Sequence, residues 1–202
     1  MEHLDAAALD TGPEHLDADA LDTGLERIRK APAGRGTVDM VVRRPGVDQR
    51  EVLEVGTLDP EVGLVGDNWS QRPSSRTADN SPHPDMQLNV MSSRVVDLVS
   101  GGRDRWHLAG DQLFLDLDLS HENLPAGTRL ALGTAVIEVT DQPHTGCKKF
   151  VRRFGAEAMR WVNSPEGREL RLRGLCARVV EAGQVRPGDL VVKLPTGSNS
   201  GD

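Results

Sequence analysis

Thr128-Arg129-Leu130-Ala131-Leu132-Gly133-Thr134-Ala135-Val136-Ile137-Glu138-Val139-Thr140 is the stretch that decides the fold. It is apolar and β-branched, with a glycine near its middle, so it reads as a hairpin or a kinked strand. Working back along the chain, Leu113, Leu115, Leu117 and Leu119 alternate with Phe114, Asp116 and Asp118, the period of a strand. Val38, Met40 and Val42 alternate in the same way, Val52 to Leu58 is a further candidate, and Met86 to Met91 is a short one. Residues 66–86 are rich in Ser, Asp, Asn, Pro and Arg, the composition of a long loop. Ser92 can cap a short helix through Ser100, which Gly101-Gly102 stops.

Downstream, the period turns helical. Phe150, Val151 and Phe154 share one face, Gly155 stops that helix, and Ala156 to Val162 forms a second. Ser164-Pro165-Glu166 opens a third, with Ser as N-cap and Pro at the first position. Leu175 to Val180, a turn at Arg186-Pro187-Gly188-Asp189, and Leu190 to Leu194 make a closing strand pair. Many short strands and few, late helices predict a β-rich α+β domain: a closed or nearly closed β-barrel decorated by short helices in its C-terminal half. Strands and helices do not alternate, and no Gly-x-Gly-x-x-Gly or P-loop follows a strand, which argues against a Rossmann-type sheet.

Three segments are expected: an acidic repeat-bearing tail over 1–30, partly disordered or helical, the domain over 36–195, and a Gly/Ser-rich flexible tail over 196–202. The N-terminal tail repeats itself, with Glu2 to Gly12 returning as Glu14 to Gly24. Each copy has the length of one or two helical turns, and a duplication in a poorly ordered tail is the favoured reading. Both copies end in Asp-Thr-Gly, the aspartic-protease signature. No hydrophobic strand precedes either one, so that reading is rejected.

Residues 1–24 carry seven acids and no Lys or Arg, which leaves 24 acids against 24 bases in the rest. The net charge of −7 is therefore a property of the tail. Within the neutral body, residues 142–178 hold nine bases and three acids. A small anionic ligand suits that excess better than nucleic acid, because aromatics are 3% and base-stacking platforms are scarce. No apolar run of membrane-spanning length and no signal-peptide pattern appears. Two cysteines do not make a disulfide framework, so the cytoplasm is the default compartment.

The basic stretch surrounds Gln142-Pro143-His144-Thr145-Gly146-Cys147-Lys148-Lys149-Phe150. Cys147 falls at the start of the Phe150–Phe154 helix, where free N–H groups and the adjacent Lys148 and Lys149 favour an anion. A lone cysteine is more often a small buried hydrophobe, and Cys176, inside an apolar strand, is read as one. His144 is a candidate to orient or deprotonate the Cys147 thiol. A structural zinc site at His144-x-x-Cys147 lacks enough ligands. A Cys–His hydrolase would need an orienting group and an oxyanion hole, and the sequence identifies neither.

The chain resembles the MOSC domain, named after the C-terminal domain of molybdenum cofactor sulfurase. The resemblance is carried by Val65-Gly66-Asp67, by Ala109-Gly110-Asp111-Gln112-Leu113 and His121-Glu122-Asn123-Leu124, by Gly127 to Thr140 leading into Cys147, and by Arg173-Gly174-Leu175-Cys176-Ala177-Arg178-Val179-Val180 with Gly183, Val185 and Pro187-Gly188-Asp189. It runs from about Thr37 to Leu194. The residue before Cys147 is Gly146, where relatives usually carry Pro.

The resemblance implies a MOSC-type β-barrel with the family cysteine at Cys147. It implies molybdenum held by a pyranopterin, with Cys147 as the metal ligand. Lys148, Lys149, Arg152, Arg173, Arg178 and Asn123 are then candidates to hold the cofactor. The implied activity is reduction of N-hydroxylated compounds, with electrons from a separate reductase, since no flavin or iron–sulfur motif is present. Other members are thought to carry sulfur as a persulfide on the same cysteine, supplied by a cysteine desulfurase; a cofactor-binding module without catalysis is the remaining alternative.

Overall fold

The computed structural model describes residues 15–195. The first copy of the N-terminal repeat, with Asp10-Thr11-Gly12, and the tail from Thr196 lie outside them. Eleven strands are described: β1 (Arg35–Arg43), β2 (Glu51–Leu53), β3 (Gly56–Asp59), β4 (Gly63–Leu64), β5 (Leu88–Ser92), β6 (Leu113–Asp116), β7 (Arg129–Leu132), β8 (Ala135–Val139), β9 (Leu175–Glu181), β10 (Gly183–Val185) and β11 (Leu190–Lys193). Four α-helices join them: α1 (Ala18–Arg29), α2 (Ser93–Ser100), α3 (Lys148–Val162) and α4 (Pro165–Glu169).

The Thr128–Thr140 stretch is a hairpin. β7 and β8 pair antiparallel with Leu132 opposite Ala135. Gly133 turns the chain at φ +56, a conformation that favours glycine, and a Cβ there would lie 2.2 Å from the Gln184 carbonyl oxygen. The hairpin is part of a closed ring of seven strands, β1-β6-β5-β9-β8-β7-β11, which seals where Arg35 of β1 pairs with Val192 of β11. All pairings are antiparallel except β5 with β6, so the barrel is mixed. β2 hangs on the edge of β1, and β10, β3 and β4 form a small separate sheet. The Val52–Leu58 segment, expected as one strand, is two, broken at the bend Glu54-Val55.

Alternation along the strands fills two cores. Leu113 and Leu115 of β6 point into the barrel with Val38, Leu130, Leu132 and Ile137. Phe114 points the other way, into a helix-covered layer with Met40, Met91, Val96, Phe150 and Phe154. A bulge between Val38 and Met40 lets β1 send Val38 and Val41 inward while Met40 and Val42 face the helices. Regular pairing of β6 ends at Asp116, earlier than the alternation predicts, but Leu117 and Leu119 stay buried.

The second copy of the repeat, from His15 on, takes the helical form. It supplies α1, capped by Asp17, whose carboxylate accepts from the Ala20 N–H at 2.9 Å. Leu21 and Ile28 are buried on the helix layer, and Asp22 accepts from the Trp161 indole N–H at 3.0 Å. In α3, Gly155 sits at φ +88, ψ 167, so two helical pieces meet there at a break, as its position in the sequence predicts. Ser164 caps α4 by accepting from the Gly167 N–H at 3.0 Å. No described helix is long and apolar enough to cross a membrane.

Candidate functional site

Beyond β8 the chain leaves the barrel as a strap, Asp141 to Gly146, without regular structure. Thr140 anchors its start: its N–H donates to the Cys176 carbonyl at 3.0 Å and its hydroxyl to the Asp85 carbonyl at 2.6 Å. At its end, the Gly146 N–H donates to Asn163 Oδ1 at 3.2 Å, a bond that proline could not make. A Cβ at 146 would come within 2.4 Å of the Met159 sulfur, so the strap lies directly on α3. Cys147 follows as the N-cap of α3, with φ −130 and ψ 175. Its thiol is exposed.

Cys147 lines a cavity of about 330 Å³ with His144, Arg44, Arg50, Arg173 and the rim residues Arg72, Lys149 and Arg153. The inner wall is built on two buried carboxylates. Arg44 grips Asp67 through Nε and Nη2, both at 2.8 Å, and also donates from Nη1 to the Gly110 carbonyl. Asp67 further accepts from the backbone N–H groups of Arg44 and Trp69. Arg173 donates from Nη1 to both oxygens of Asp111, at 2.9 and 2.8 Å, and lies 5.1 Å over the Phe150 ring. The side chains of Asp67 and Asp111 have no exposed surface.

Asp111 also fixes His144, whose Nε2 lies 2.8 Å from Asp111 Oδ1. Burial pushes the Asp111 pKa up, but Arg173 and His144 outweigh it and hold it below the usual carboxylate value. Burial pushes the His144 pKa down, Arg173 adds to that, and Asp111 only partly opposes it. The ring is therefore neutral at pH 7. An ionised carboxylate can only accept, so Nε2 carries the hydrogen and Nδ1 the lone pair. Asp111 is the orienting group that the sequence alone did not reveal. Even so, no hydrogen bond joins His144 to Cys147 among the described residues, and a Cys–His hydrolase arrangement is not formed.

The outer half is different. Lys149 and Arg153 share exposed Asp48, at 2.8 and 3.3 Å. Arg50 and Arg72 have no carboxylate partner among the described residues. Burial pulls the pKa of each down, and like-charged neighbours pull further: Arg153 and Arg44 for Arg50, Arg44 for Arg72. Three buried atoms in the lining residues, Arg50 Nε, Arg173 Nε and Asn68 Oδ1, have no hydrogen-bond partner. Two of them are donors and one, Asn68 Oδ1, is an acceptor; buried polar atoms are normally satisfied, so the cationic cavity is arranged for a polar ligand that carries an anionic group.

Of the residues singled out in sequence, Cys147, His144, Lys149 and Arg173 converge on this cavity. Lys148 and Arg152 are exposed and do not line it. Arg178 is used up elsewhere, bonded to Glu138 at 2.6 Å and Asp85 at 3.2 Å. Asn123 is a structural lock: its amide donates to the carbonyls of Asp118 at 2.7 Å and Ala33 at 2.8 Å. Cys176 is fully buried, and burial pushes its thiol pKa up to about 12, as befits a core residue. Sequence reasoning covered Arg153 only as part of the basic 142–178 stretch, and did not single out Arg44, Arg50 and Arg72 as cofactor contacts. Its one usable signal was that Asp67 and Asp111 each follow a glycine in the quoted segments.

The description "MOSC domain" matches residues 81–192, more than half of the chain. The chain belongs to the MOSC domain family. The YuaD protein from Bacillus subtilis has a similar structure, with 15% identity, a TM-score of 0.55, and coverage of 80% of this chain and 97% of that one. YiiM from Escherichia coli is similar at 19% identity and a TM-score of 0.52, covering 82% of this chain and 72% of that one. At these identities the likeness is one of fold. No match was found among curated proteins.

The MOSC barrel here supplies a single soft donor, Cys147. Among the described residues no group of three His, Cys, Asp or Glu side chains is placed to hold a metal. That donor set fits a metal that arrives with its own sulfur ligands on an anionic organic carrier, and does not fit a bare metal ion.

Proposed function

We propose that this MOSC protein binds a molybdenum–pyranopterin cofactor in the Cys147 cavity and acts as an oxidoreductase on N-hydroxylated compounds. The observation that carries this reading is an exposed thiol on a cavity whose unpaired guanidiniums and unpartnered donors await an anion. Cys147 would ligate the metal. Arg50, Arg72, Lys149 and Arg153 would bind the cofactor's phosphate and polar edges, while Arg44 and Arg173, fixed by Asp67 and Asp111, would set the shape of the inner wall. When bound, the cofactor supplies a two-electron centre that reduces N–OH to N–H with release of water, taking electrons from a separate reductase. Nδ1 of neutral His144 would offer a hydrogen-bond acceptor to the ligand.

Metal and pterin analysis of protein made in a host competent for molybdenum cofactor synthesis tests the reading. The expected result is near-stoichiometric molybdenum and pterin, with most of the metal lost in Cys147→Ala while the circular dichroism spectrum is kept. A folded preparation with neither molybdenum nor pterin would overturn it.

The exposure of Cys147 also favours a second reading, a sulfur carrier. A desulfurase persulfide would transfer its terminal sulfur: a bond forms to Cys147 Sγ as the donor S–S bond breaks, leaving the donor thiolate. Intact mass after incubation with a desulfurase and cysteine should then rise by one sulfur, and Cys147→Ala should abolish the rise.

A further inference from the structure

A second cavity, about 350 Å³ in volume, lies against the same strap. His144, Thr145 and Arg173 line both cavities, whereas Cys147 lines only the first. The second has an apolar side, with Pro143, Val162 and Leu175, and a cationic side, with Arg168, Arg171 and Arg173. Asp141 is the carboxylate in its lining, exposed and hydrogen-bonded by its neighbour Gln142 at 2.9 Å.

Arg171 is the unusual residue. It is buried, with 8% of its surface exposed, and its backbone sits at φ +48, which is uncommon for a residue with a side chain. Arg44 and Arg173 are each locked by a buried aspartate. Arg171 has no carboxylate partner among the described residues. Its Nη1 donates to the carbonyl of Leu124 at 2.6 Å and, more weakly, to that of Leu119 at 3.5 Å, which leaves the rest of the guanidinium unbonded there. Burial lowers its pKa. The neighbouring His121 has its pKa lowered by burial and then by Arg171, so it stays neutral and does not compete for an anion. Arg173 adds a buried Nε with no partner. An uncompensated buried charge is expensive unless something supplies the counter-charge.

We propose that this cavity is a second anion site, which takes a small organic anion, a carboxylate or a phosphate monoester. The charged group would lie on Arg171 and Arg168, and the apolar body against Pro143, Val162 and Leu175. Arg168 and Arg171 line this cavity and not the Cys147 cavity, although the two share the His144–Arg173 wall, and the proposal does not depend on the molybdenum reading.

Titration calorimetry of the full chain at low salt, with phenyl phosphate and with benzoate, tests this, with inorganic phosphate and chloride as comparisons. Two classes of site are expected. Arg168→Gln should weaken one of them about tenfold, and Arg171→Met should abolish it. Arg50→Gln and Arg72→Gln should act only on the other. The relative strength of phenyl phosphate and benzoate distinguishes a phosphoryl from a carboxylate ligand, and the apolar side predicts tighter binding of phenyl phosphate than of inorganic phosphate. If Arg171→Met does not fold, Arg168→Gln decides, since Arg168 is exposed. The absence of any class of site that responds to Arg168→Gln or Arg171→Met would overturn the proposal, whether or not the Cys147 cavity binds the same probes. Molybdenum content reports on the Cys147 cavity alone, so either idea can fail without the other.

Discussion

The two halves of the Cys147 cavity hold their cations in opposite ways. In the inner half, Arg44 and Arg173 are each paired with an aspartate whose side chain is completely buried. In the outer half, Lys149 and Arg153 share one exposed Asp48, and Arg50 and Arg72 have no acidic partner among the described residues. The difference separates scaffold from field. Such buried pairs gain little net free energy but fix the two guanidinium groups, Arg44 through two nitrogens on Asp67 and Arg173 through Nη1 on Asp111 with Nη2 on the Ala109 carbonyl. A cation without a partner contributes nothing to fixing the wall, yet it keeps its charge available to a ligand. Its cost to the empty protein is recovered when an anion binds.

Substitutions in the inner half should therefore act on stability first. Asp111→Asn would leave Arg173 buried without its counter-charge and His144 without its anchor, and should cost about 3–5 kcal/mol of unfolding free energy. Asp67→Asn should cost a similar amount. Urea unfolding followed by tryptophan fluorescence measures both. A loss below about 1 kcal/mol in either variant would show that the pair does not hold the wall, and the contrast between the halves would collapse.

The inner half should also report on pH. The folded-state pKa of His144 lies below 6.5, because burial and Arg173 outweigh Asp111. Below pH 6.5 the unfolded chain takes up a proton on this ring that the folded chain refuses. Stability should therefore fall as pH drops through this range, by at most about 1.4 kcal/mol per pH unit for this one group. The loss levels off once the folded ring itself protonates. His107 and His121 are shifted in the same direction, His107 mainly by burial, and steepen the fall. Asp111 extends it to lower pH, because its depressed pKa favours the folded state until that carboxylate protonates. His144→Asn keeps a donor for Asp111 and should flatten the profile between pH 7.5 and 5.5. An unchanged slope would mean that His144 is not held neutral.

How each half could be read in the sequence follows the same division. The β7–β8 hairpin, the break at Gly155 and the Ser164 cap were legible because each depends on residues a few positions apart. The charge excess over 142–178 correctly marked α3 as cationic, but charge density does not select a face. Helical spacing places Lys149 and Arg153, four apart, on the cavity, and leaves Lys148 and Arg152 in solvent. The inner wall was hidden because its pairs are made by barrel closure: Asp67 is 23 residues from Arg44, and Asp111 is 62 from Arg173. Much of the cavity's charge, including Arg44, Arg50 and Arg72, comes from outside the span that matches the MOSC description. Helix α1 did carry a signal, since Leu21, Leu25 and Ile28 are spaced four and three apart. The acidity of the repeat drew attention away from it.

In the outer half the predictions concern binding, with stability left in place. Arg50→Gln and Arg72→Gln should each weaken phenyl phosphate at the Cys147 cavity about tenfold without lowering the urea midpoint. A variant that unfolds earlier would show that the unpaired guanidinium is structural after all.

The smallest effect belongs to Asp48→Asn. Its carboxylate pKa is lowered mainly by the hydrogen bond from Lys149, with the charges of Lys149 and Arg153 adding to it, so it is ionised and opposes an incoming anion. Removing that charge should raise anion affinity a few-fold at low salt, with the urea midpoint unchanged, because the group is exposed and well solvated. The gain should fade toward 0.15 M salt, where screening acts over about 8 Å. A gain that survives salt would place Asp48 in direct contact with the ligand, and a loss of stability would give the outer half the same construction as the inner one.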